Sequence, residues 1–316
     1  MTLFDPLYRD SDRTLYLSVF RVYLCFHLAK DLVFRWTSLD LLYGVDSFVV
    51  RTDRLITQVA DITLFQEWYV VLIVAHVALL GLFAFGIGKG YTAFGLYVTV
   101  KVLQRMHPWI LDGGDNLLEF ALLYMVFCDS YQHLSVTPLN IQTETKRKVV
   151  NLFTNLGTRS IMVHLCLVYF MTGLHKAHAD VWYNGTATYY IFQVERFAGT
   201  PLNQLIAQSD ILVALSTLGT LIWELTFPVL VWTKRLRVPL MLIGMSMHLG
   251  IYIFMMINDF QILFISIYGF FFANDELRAA WSWVTERLRA FRGVRQQTGE
   301  QVAAGGGRAA GLASGP

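Results

Sequence analysis

Charged residues are scarce in this sequence of 316 residues. They make up 15% of the chain, against about 25% in an average soluble domain. Hydrophobic residues make up 55%, and the mean hydropathy is +0.47. This composition excludes an ordinary soluble domain and predicts an integral membrane protein.

Cysteine is also rare, and the excess of positive charge is small. The only cysteines, Cys25, Cys128 and Cys166, lie in apolar segments with no CxxC pair, which excludes a disulfide framework and a thiol redox centre. The net charge of +2 is too small to indicate a nucleic-acid partner.

Several apolar segments approach the length of about 20 residues that a helix needs to cross a bilayer. They are residues 14–36, 67–88, 91–108, 115–132, 159–176, 210–233, 237–257 and 259–274. We therefore predict an all-α, polytopic membrane bundle with about eight transmembrane helices. The last two segments are separated only by the polar pair Asn258 and Asp259, where we divide them.

Basic residues cluster before the first segment and after the second, fourth, sixth and eighth. With this helix count all five clusters fall on one side, so the positive-inside rule predicts that both termini are cytoplasmic. Lys176, at the end of the fifth segment, is then expected at the opposite, external face. We expect a multi-pass protein of a bacterial plasma membrane.

We divide the chain into three parts. Residues 1–274 form the predicted transmembrane domain. Residues 275–296 have apolar positions at helical spacing between arginines, which indicates either a cytoplasmic amphipathic helix on the anionic inner leaflet or a solvated helix. Residues 297–316 are rich in Gly and Ala without periodicity and are predicted to be disordered.

Two ionisable residues lie within the apolar segments at similar predicted depths. Arg21 is about 12 Å and Glu224 about 15 Å along their helices from the cytoplasmic ends. A charge inside a membrane needs a partner or a task. We interpret Arg21 and Glu224 as a buried ion pair that fixes helix register, in preference to a catalytic pair.

A second polar group collects at the predicted external ends of the helices. It includes Lys176, Asp115, Glu119, His175 and His107. Burial disfavours the ammonium form of a lysine, so a lysine closed off from water can act as a base. The alternative for Lys176 is an exposed pair with Asp180, four residues on.

Three histidines of the chain have competing interpretations. His175 and His178 share a helix face, but no third ligand stands at diagnostic spacing, so we expect no metal. His248 lies near mid-membrane, either as a hydrogen-bonded core residue or as part of a proton relay.

Five ordered motifs resemble a known family. They are FRVYLCFHLAKDLVFRW, HPWILDGGDNLLEFALLY, VYFMTGLHKAHADVWYNG, WELTFPVLVW and MHLGIYIFMMINDFQILF, within residues 14–273. As a set they resemble the HTTM (horizontally transferred transmembrane) family, whose membrane domain is homologous to that of vitamin K-dependent gamma-carboxylase.

The resemblance implies a role for Lys176, because the matching lysine of the carboxylase is the base in vitamin K hydroquinone oxygenation. It implies Lys176 as base, with Asp115, Glu119 and His175 as supporting polar groups. His107, Trp182 and His248 are the candidate cofactor-binding residues, and the cofactor is a reduced quinone of the vitamin K or menaquinone type. Gly114 and Asp115 stand where the carboxylase has Asn-His, so we expect lipid-quinol acid/base chemistry and not carbon dioxide transfer.

A non-catalytic function is the alternative that we keep. Relatives of this type are associated with maturation or export of secreted peptides, and the polar layer would then bind a peptide or small protein. Membrane lipid is an expected partner under either hypothesis. A transporter is less favoured, because the sequence shows no inverted repeat.

Overall fold

The computed structural model describes residues 5–45, 47, 62–107 and 111–289. Within these residues all regular structure is helical. The longer helices are α1 (Thr14–Phe34), α2 (Tyr69–Ala84), α3 (Lys89–Met106), α4 (Gly113–Phe127), α5 (Glu144–Ala177), α6 (Asp210–Leu230), α7 (Lys234–Met255) and α8 (Asn258–Ile267). Short helices are Leu39–Tyr43, Ile62–Glu67, Asp180–Tyr183, Ala187–Gln193 and Leu202–Ala207, with 3-10 turns at Asp5–Tyr8, Trp36–Ser38, Glu195–Phe197 and Tyr268–Phe271.

Each predicted apolar segment overlaps one of these longer helices, so the all-α prediction is confirmed for the described residues. The largest difference is in α5, which begins at Glu144 and not at the predicted residue 159. Its polar first half is anchored by the N-terminal segment, because the Asn155 amide donates to the backbone carbonyls of Leu7 and Arg9, both at 2.9 Å. Hydropathy alone does not reveal a polar helix held in this way.

The last apolar stretch is divided into two helices, as predicted. The break lies at Met256 and Ile257, two residues before the predicted position. Met256 has a left-handed backbone with φ of 56°, and Ile257 is extended. This change of direction ends α7 and starts α8.

Three helices, α5, α6 and α7, are long and apolar enough to cross a membrane. The apolar helices Tyr69–Ala84 and Asp259–Phe271 are shorter. Side chains such as Ile211, Leu215 and Val229 on α6 are exposed by 72%, 65% and 68%. Apolar exposure on this scale suits a lipid environment. The chain is therefore a membrane protein, and the expected eight crossings remain a prediction.

The helices pack in sequential and non-sequential pairs. α5 packs against both α4 and α6, α3 packs against α2 and α4, and α8 packs against α7 and α4. Phe20, Leu165, Phe227 and Phe264 are almost completely buried between them. α5 is therefore the helix that joins the early half of the bundle to α6.

Residues 272–289 belong to a compact unit separate from the preceding helices. A helix covers residues 274–289, and the Glu276 carboxylate accepts a hydrogen bond of 2.8 Å from the Ala273 amide at its start. Trp281 and Leu288 are exposed by 71% and 56%. The rest of the predicted amphipathic segment, 290–296, and the predicted disordered tail, 297–316, lie outside the described residues.

Candidate functional site

Lys176 forms an ion pair with Glu224. It lies one residue before the end of α5, and its ammonium donates a hydrogen bond to Glu224 Oε1 on α6. The lysine side chain is 25% exposed, and that of Glu224 is 6% exposed. The pair is thus shielded from bulk solvent on its carboxylate side. The sequence alternative, a pair between Lys176 and Asp180, does not form.

The expected ion pair between Arg21 and Glu224 is wrong. The Arg21 guanidinium donates to the backbone carbonyls of Ser130 and Leu134, and it lies 5.2 Å from the centroid of the Tyr131 ring. Arg21 is completely buried. The prediction counted residues from the end of each helix, and such a count does not show how far the two helices are shifted along each other. Arg21 is held by hydrogen bonds to loop carbonyls, and Glu224 pairs with Lys176 instead.

Gly173 explains why α5 and α6 approach closely at this point. A Cβ atom at Gly173 would lie 2.9 Å from Leu225 Cδ2 and 3.2 Å from Glu224 Cβ. The first of these distances is shorter than real Cβ contacts allow. The missing side chain therefore brings Glu224 within reach of Lys176, one helical turn further along α5.

Trp182 covers the ammonium from a different direction. Its ring centroid lies 4.6 Å from Lys176 Nζ, which is the distance of a cation–π contact. Trp182 belongs to the short helix Asp180–Tyr183, which is joined to the next turn through Gly185 with φ of 76°. This predicted cofactor-binding residue therefore touches the predicted base.

A large cavity of about 1110 Å³ opens beside the ion pair. Its walls come mainly from α6, α7, α8 and the short helices between α5 and α6, and they are mostly apolar. Lining residues include Lys176, Trp182, Trp223, Phe254, Phe260 and Gln261. A pocket with apolar walls and a few polar groups is typical of a small-molecule site.

Charged groups in this cavity wall are few. They are Asp112, Lys176, Arg196 and Asp259. Asp259 is paired with Lys30, whose Nζ also lies 3.5 Å from Asp31. Arg196 is exposed, and its guanidinium lies 5.8 Å from the Phe197 ring centroid.

Lys176 lies deeper than the sequence predicts. From Asp210, where α6 begins, to Glu224 there are 14 residues, or about 21 Å of helix. The short helices Asp180–Tyr183, Ala187–Gln193 and Leu202–Ala207 pack along this part of α6. The chain therefore continues well past Lys176, which is not at the outermost layer of the bundle.

His248 is a buried member of a hydrogen-bonded chain. Its Nε2 lies 2.7 Å from the Tyr169 hydroxyl, which lies 2.9 Å from the Tyr268 hydroxyl. Its Nδ1 is bonded to Gln261 Oε1. His248 does not line the cavity itself, but Gln261 does.

The expected supporting groups do not gather around Lys176. Asp115 caps the start of α4, where its carboxylate accepts a hydrogen bond of 2.9 Å from the Asp112 amide. Glu119 is paired with Lys101 on α3. His175 is exposed and lines neither the cavity nor the ion pair. Asp115 and Glu119 are thus held by partners at the start of α4 and on α3, and His175 faces away from the Lys176 side of α5 because adjacent positions on a helix face different directions.

His107 also lies apart from the cavity. Its Nε2 is 2.6 Å from the Tyr43 hydroxyl in a separate buried cluster beside α3. Burial raises the pKa of the Tyr43 phenol, so its hydroxyl stays protonated and can donate to the imidazole. Of the three predicted cofactor-binding residues, Trp182 lines the cavity, His248 contacts a lining residue, and His107 does neither.

Two site residues were not singled out from the sequence. Gln261 follows the polar pair Asn258 and Asp259 at the start of α8 and borders an apolar run, and a polar residue in this position is a signal that could have been used. Asp259 was interpreted only as part of a helix break. Glu224 was noted, but its partner was misassigned.

Within residues 5–45, 47, 62–107 and 111–289, no cluster of three or more His, Cys, Asp or Glu side chains could hold a metal ion. No family model, curated protein or solved structure matches this chain. The side chains around the cavity therefore carry the functional argument by themselves.

Proposed function

We propose that this chain is a membrane-embedded enzyme that binds a lipid quinol, or a similar weak acid with an apolar tail, and takes a proton from it with Lys176. The quinol is of the vitamin K or menaquinone type. The proposal includes the HTTM-like bundle of about eight crossings, cytoplasmic termini and a location in a bacterial plasma membrane. It does not include carbon dioxide transfer.

One observation carries the proposal: Lys176 is a titratable amine in the wall of a largely apolar cavity of about 1110 Å³. This volume is slightly above the range of typical ligand pockets, about 300–1,000 Å³. Such a space suits a bulky apolar molecule with one polar group. The Trp182 ring beside Nζ restricts the side from which that polar group approaches.

The carboxylate partner changes how Lys176 acts as a base. A free lysine was expected, but the lysine here is paired with Glu224. Transfer of the ammonium proton to Glu224 gives a neutral amine and a neutral carboxylic acid, so no net charge is created in the apolar site. The amine then takes the proton of the ligand hydroxyl, and the new ammonium stabilises the ligand oxyanion.

The proposal is tested with menaquinol in the purified full-length protein, in nanodiscs without oxygen. The pH at which bound menaquinol loses its first proton is followed by its ultraviolet absorbance. We expect this pH to be lower in the wild type than in Lys176→Met, since only the wild type offers an amine at the ligand oxygen.

A matched control is Lys101→Met. Lys101 is also a partly buried lysine, 32% exposed and paired with Glu119, but it does not line the cavity. It should leave the titration unchanged. Equal titration of menaquinol by wild type and Lys176→Met would contradict the base role, and a matching effect of Lys101→Met would contradict the choice of site.

A non-catalytic function in maturation or export of a peptide is the second candidate. It is favoured by the carboxylate partner of Lys176 and by the cavity wall, which does not include Asp115, Glu119 or His175. Mass spectrometry of the lipids and peptides retained by the detergent-purified protein separates the two. A quinone retained by the wild type and lost in Lys176→Met supports the enzyme, whereas a retained peptide without quinone supports the export factor.

A further inference from the structure

Gln261 presents a hydrogen-bond donor to the cavity. The residue is only 1% exposed, and its Oε1 is occupied by His248 Nδ1. Its amide nitrogen, Nε2, makes no hydrogen bond within the described residues. A donor without a protein partner in the wall of a mostly apolar cavity is unfavourable unless the cavity contents accept from it, so it indicates a ligand group that does.

The buried chain behind Gln261 fixes which end of the amide faces the cavity. A neutral imidazole has one donor and one acceptor nitrogen. Because Gln261 Oε1 accepts, Nδ1 of His248 carries the hydrogen, and Nε2 accepts from the Tyr169 hydroxyl. The Tyr169 oxygen is then free to accept from Tyr268 at 2.9 Å.

This order of donors leaves Gln261 with one orientation. Turning the amide by 180° would reverse every donor in this chain, and the Tyr268 hydroxyl would then have no acceptor among the described residues. His248, Tyr169 and Tyr268 are all buried. The side chain is therefore held with its NH₂ group toward the cavity before any ligand arrives.

We propose that Gln261 is a specificity-determining residue that binds an acceptor oxygen of the cavity ligand, and that His248 positions it. The ligand class is an apolar molecule with a carbonyl or hydroxyl oxygen at the Gln261 end. This inference rests on the cavity assigned under the proposed function and adds a second polar contact to the one at Lys176. It selects against pure hydrocarbons, which would leave the amide unpaired.

The test measures binding of three probes to the full-length protein in nanodiscs: menaquinone-4, geranylgeraniol and the hydrocarbon phytane. The measured quantity is the preference for an oxygen-bearing probe over phytane. Gln261→Met keeps the length of the side chain but removes the amide. We expect it to reduce the preference about tenfold, which is the effect of one hydrogen bond to a buried group, and to leave phytane binding unchanged.

His248→Phe removes the residue that orients the amide, so it should reduce the same preference by less than Gln261→Met. Combined with Gln261→Met it should add nothing to the loss of preference. A purely structural role of His248 would instead weaken binding of phytane and of the oxygen-bearing probes equally.

Ser246→Ala is the matched control, because Ser246 also lines the cavity but its hydroxyl donates to the Ile243 carbonyl at 2.7 Å. It should keep the wild-type preference. A wild type that shows no preference for either oxygen-bearing probe overturns the inference, as does a Gln261→Met variant that keeps the preference. Binding of geranylgeraniol but not menaquinone-4, with loss of preference in Gln261→Met, supports the inference while the quinol proposal fails.

Discussion

The Lys176 ammonium forms its ion pair with Glu224 of the neighbouring helix and not with Asp180, four residues on in the sequence. An i, i+4 pair requires a continuous helix. α5 ends at Ala177, and Ala179 has an extended backbone with ψ of 124° before the next short helix begins. Asp180 is thereby directed away, and the carboxylate on α6 becomes the available partner.

Removing one member of this pair should be more damaging than removing both. Glu224→Ala leaves a lysine without its counter-ion in a mostly buried place. We expect a loss of up to about 3 kcal/mol of stability, at the lower end of values for buried pairs because Lys176 is 25% exposed. The double change Lys176→Met with Glu224→Ala should recover much of this loss, because no unpaired charge is left. Thermal unfolding in detergent measures all variants.

The contrary result is a double variant whose loss of stability equals the loss in Glu224→Ala plus the loss in Lys176→Met. Additive losses would mean that the two side chains do not interact. The pair would then have no part in holding α5 against α6.

Gly173→Ala should separate α5 from α6. Leu225 Cδ2, 2.9 Å from the new Cβ, can swing away, but Glu224 Cβ at 3.2 Å moves only with α6, so overpacking should cost about 1–3 kcal/mol, of which better helix propensity offsets about 1 kcal/mol. Since Glu224 must move with α6, menaquinol binding at Lys176 should also weaken. Unfolding temperature and probe affinity are the two measurements.

Gly81→Ala is the comparison for this change. Gly81 is also within a helix, but a Cβ there meets no atom within 4 Å. It should be neutral or stabilise by up to about 1 kcal/mol. Equal behaviour of the two variants would contradict the close contact at Gly173.

Arg21→Lys should loosen the segment after α4, even though charge is conserved. The arginine contacts the carbonyls of Ser130 and Leu134 with separate nitrogens, and a lysine has a single point of contact. Loss of a charged hydrogen bond costs about 2 kcal/mol. Hydrogen exchange in residues 128–134 should become faster.

The control for Arg21 is Arg159→Lys, since Arg159 is exposed on α5. Its exchange pattern should match that of the wild type. Unchanged exchange in residues 128–134 of Arg21→Lys would show that the guanidinium does not hold this segment.

The helix at 274–289 should associate with anionic lipid. Trp281, Val284 and Leu288 lie on one face and are exposed, and arginines flank that face. Hydrogen exchange of this helix in the full-length protein should be slower in nanodiscs with anionic lipid than in zwitterionic ones. High salt should reduce the difference, because it screens surface charge.

Substitution of Arg278, Arg287 and Arg289 by Gln should remove the difference between the two lipids, whereas Lys146→Gln on the exposed start of α5 should not. Identical exchange of the wild-type helix in both lipids would support the solvated alternative.

Much of the fold could be predicted from the sequence, because an apolar run long enough to cross a bilayer has few structures open to it except a helix. The division between α7 and α8 was predicted from the polar pair Asn258 and Asp259. The first half of α5 was not found, because its Asn155 is stabilised by hydrogen bonds to the carbonyls of Leu7 and Arg9, more than 140 residues away.

The candidate site was predicted less completely. Lys176 and Trp182 were identified and do touch, since they lie on one short stretch of chain. Asp115 and Glu119 were grouped with them by depth alone. In the structure Glu119 forms an ion pair with Lys101. Gln261 lines the cavity, although it was not singled out from the sequence.

The sequence by itself determined that this is a helical membrane protein and which residues carry charge inside it, because hydropathy and helix length are properties of local chain. Only the tertiary structure decided which charged side chains form ion pairs with each other. Partners on different helices depend on how far each helix is shifted and turned against its neighbour, and that is set by close contacts such as Gly173 against Leu225. The ion pair between Lys176 and Glu224 forms because Gly173 lets α5 and α6 approach closely, and the spacing of charges along the chain does not predict it.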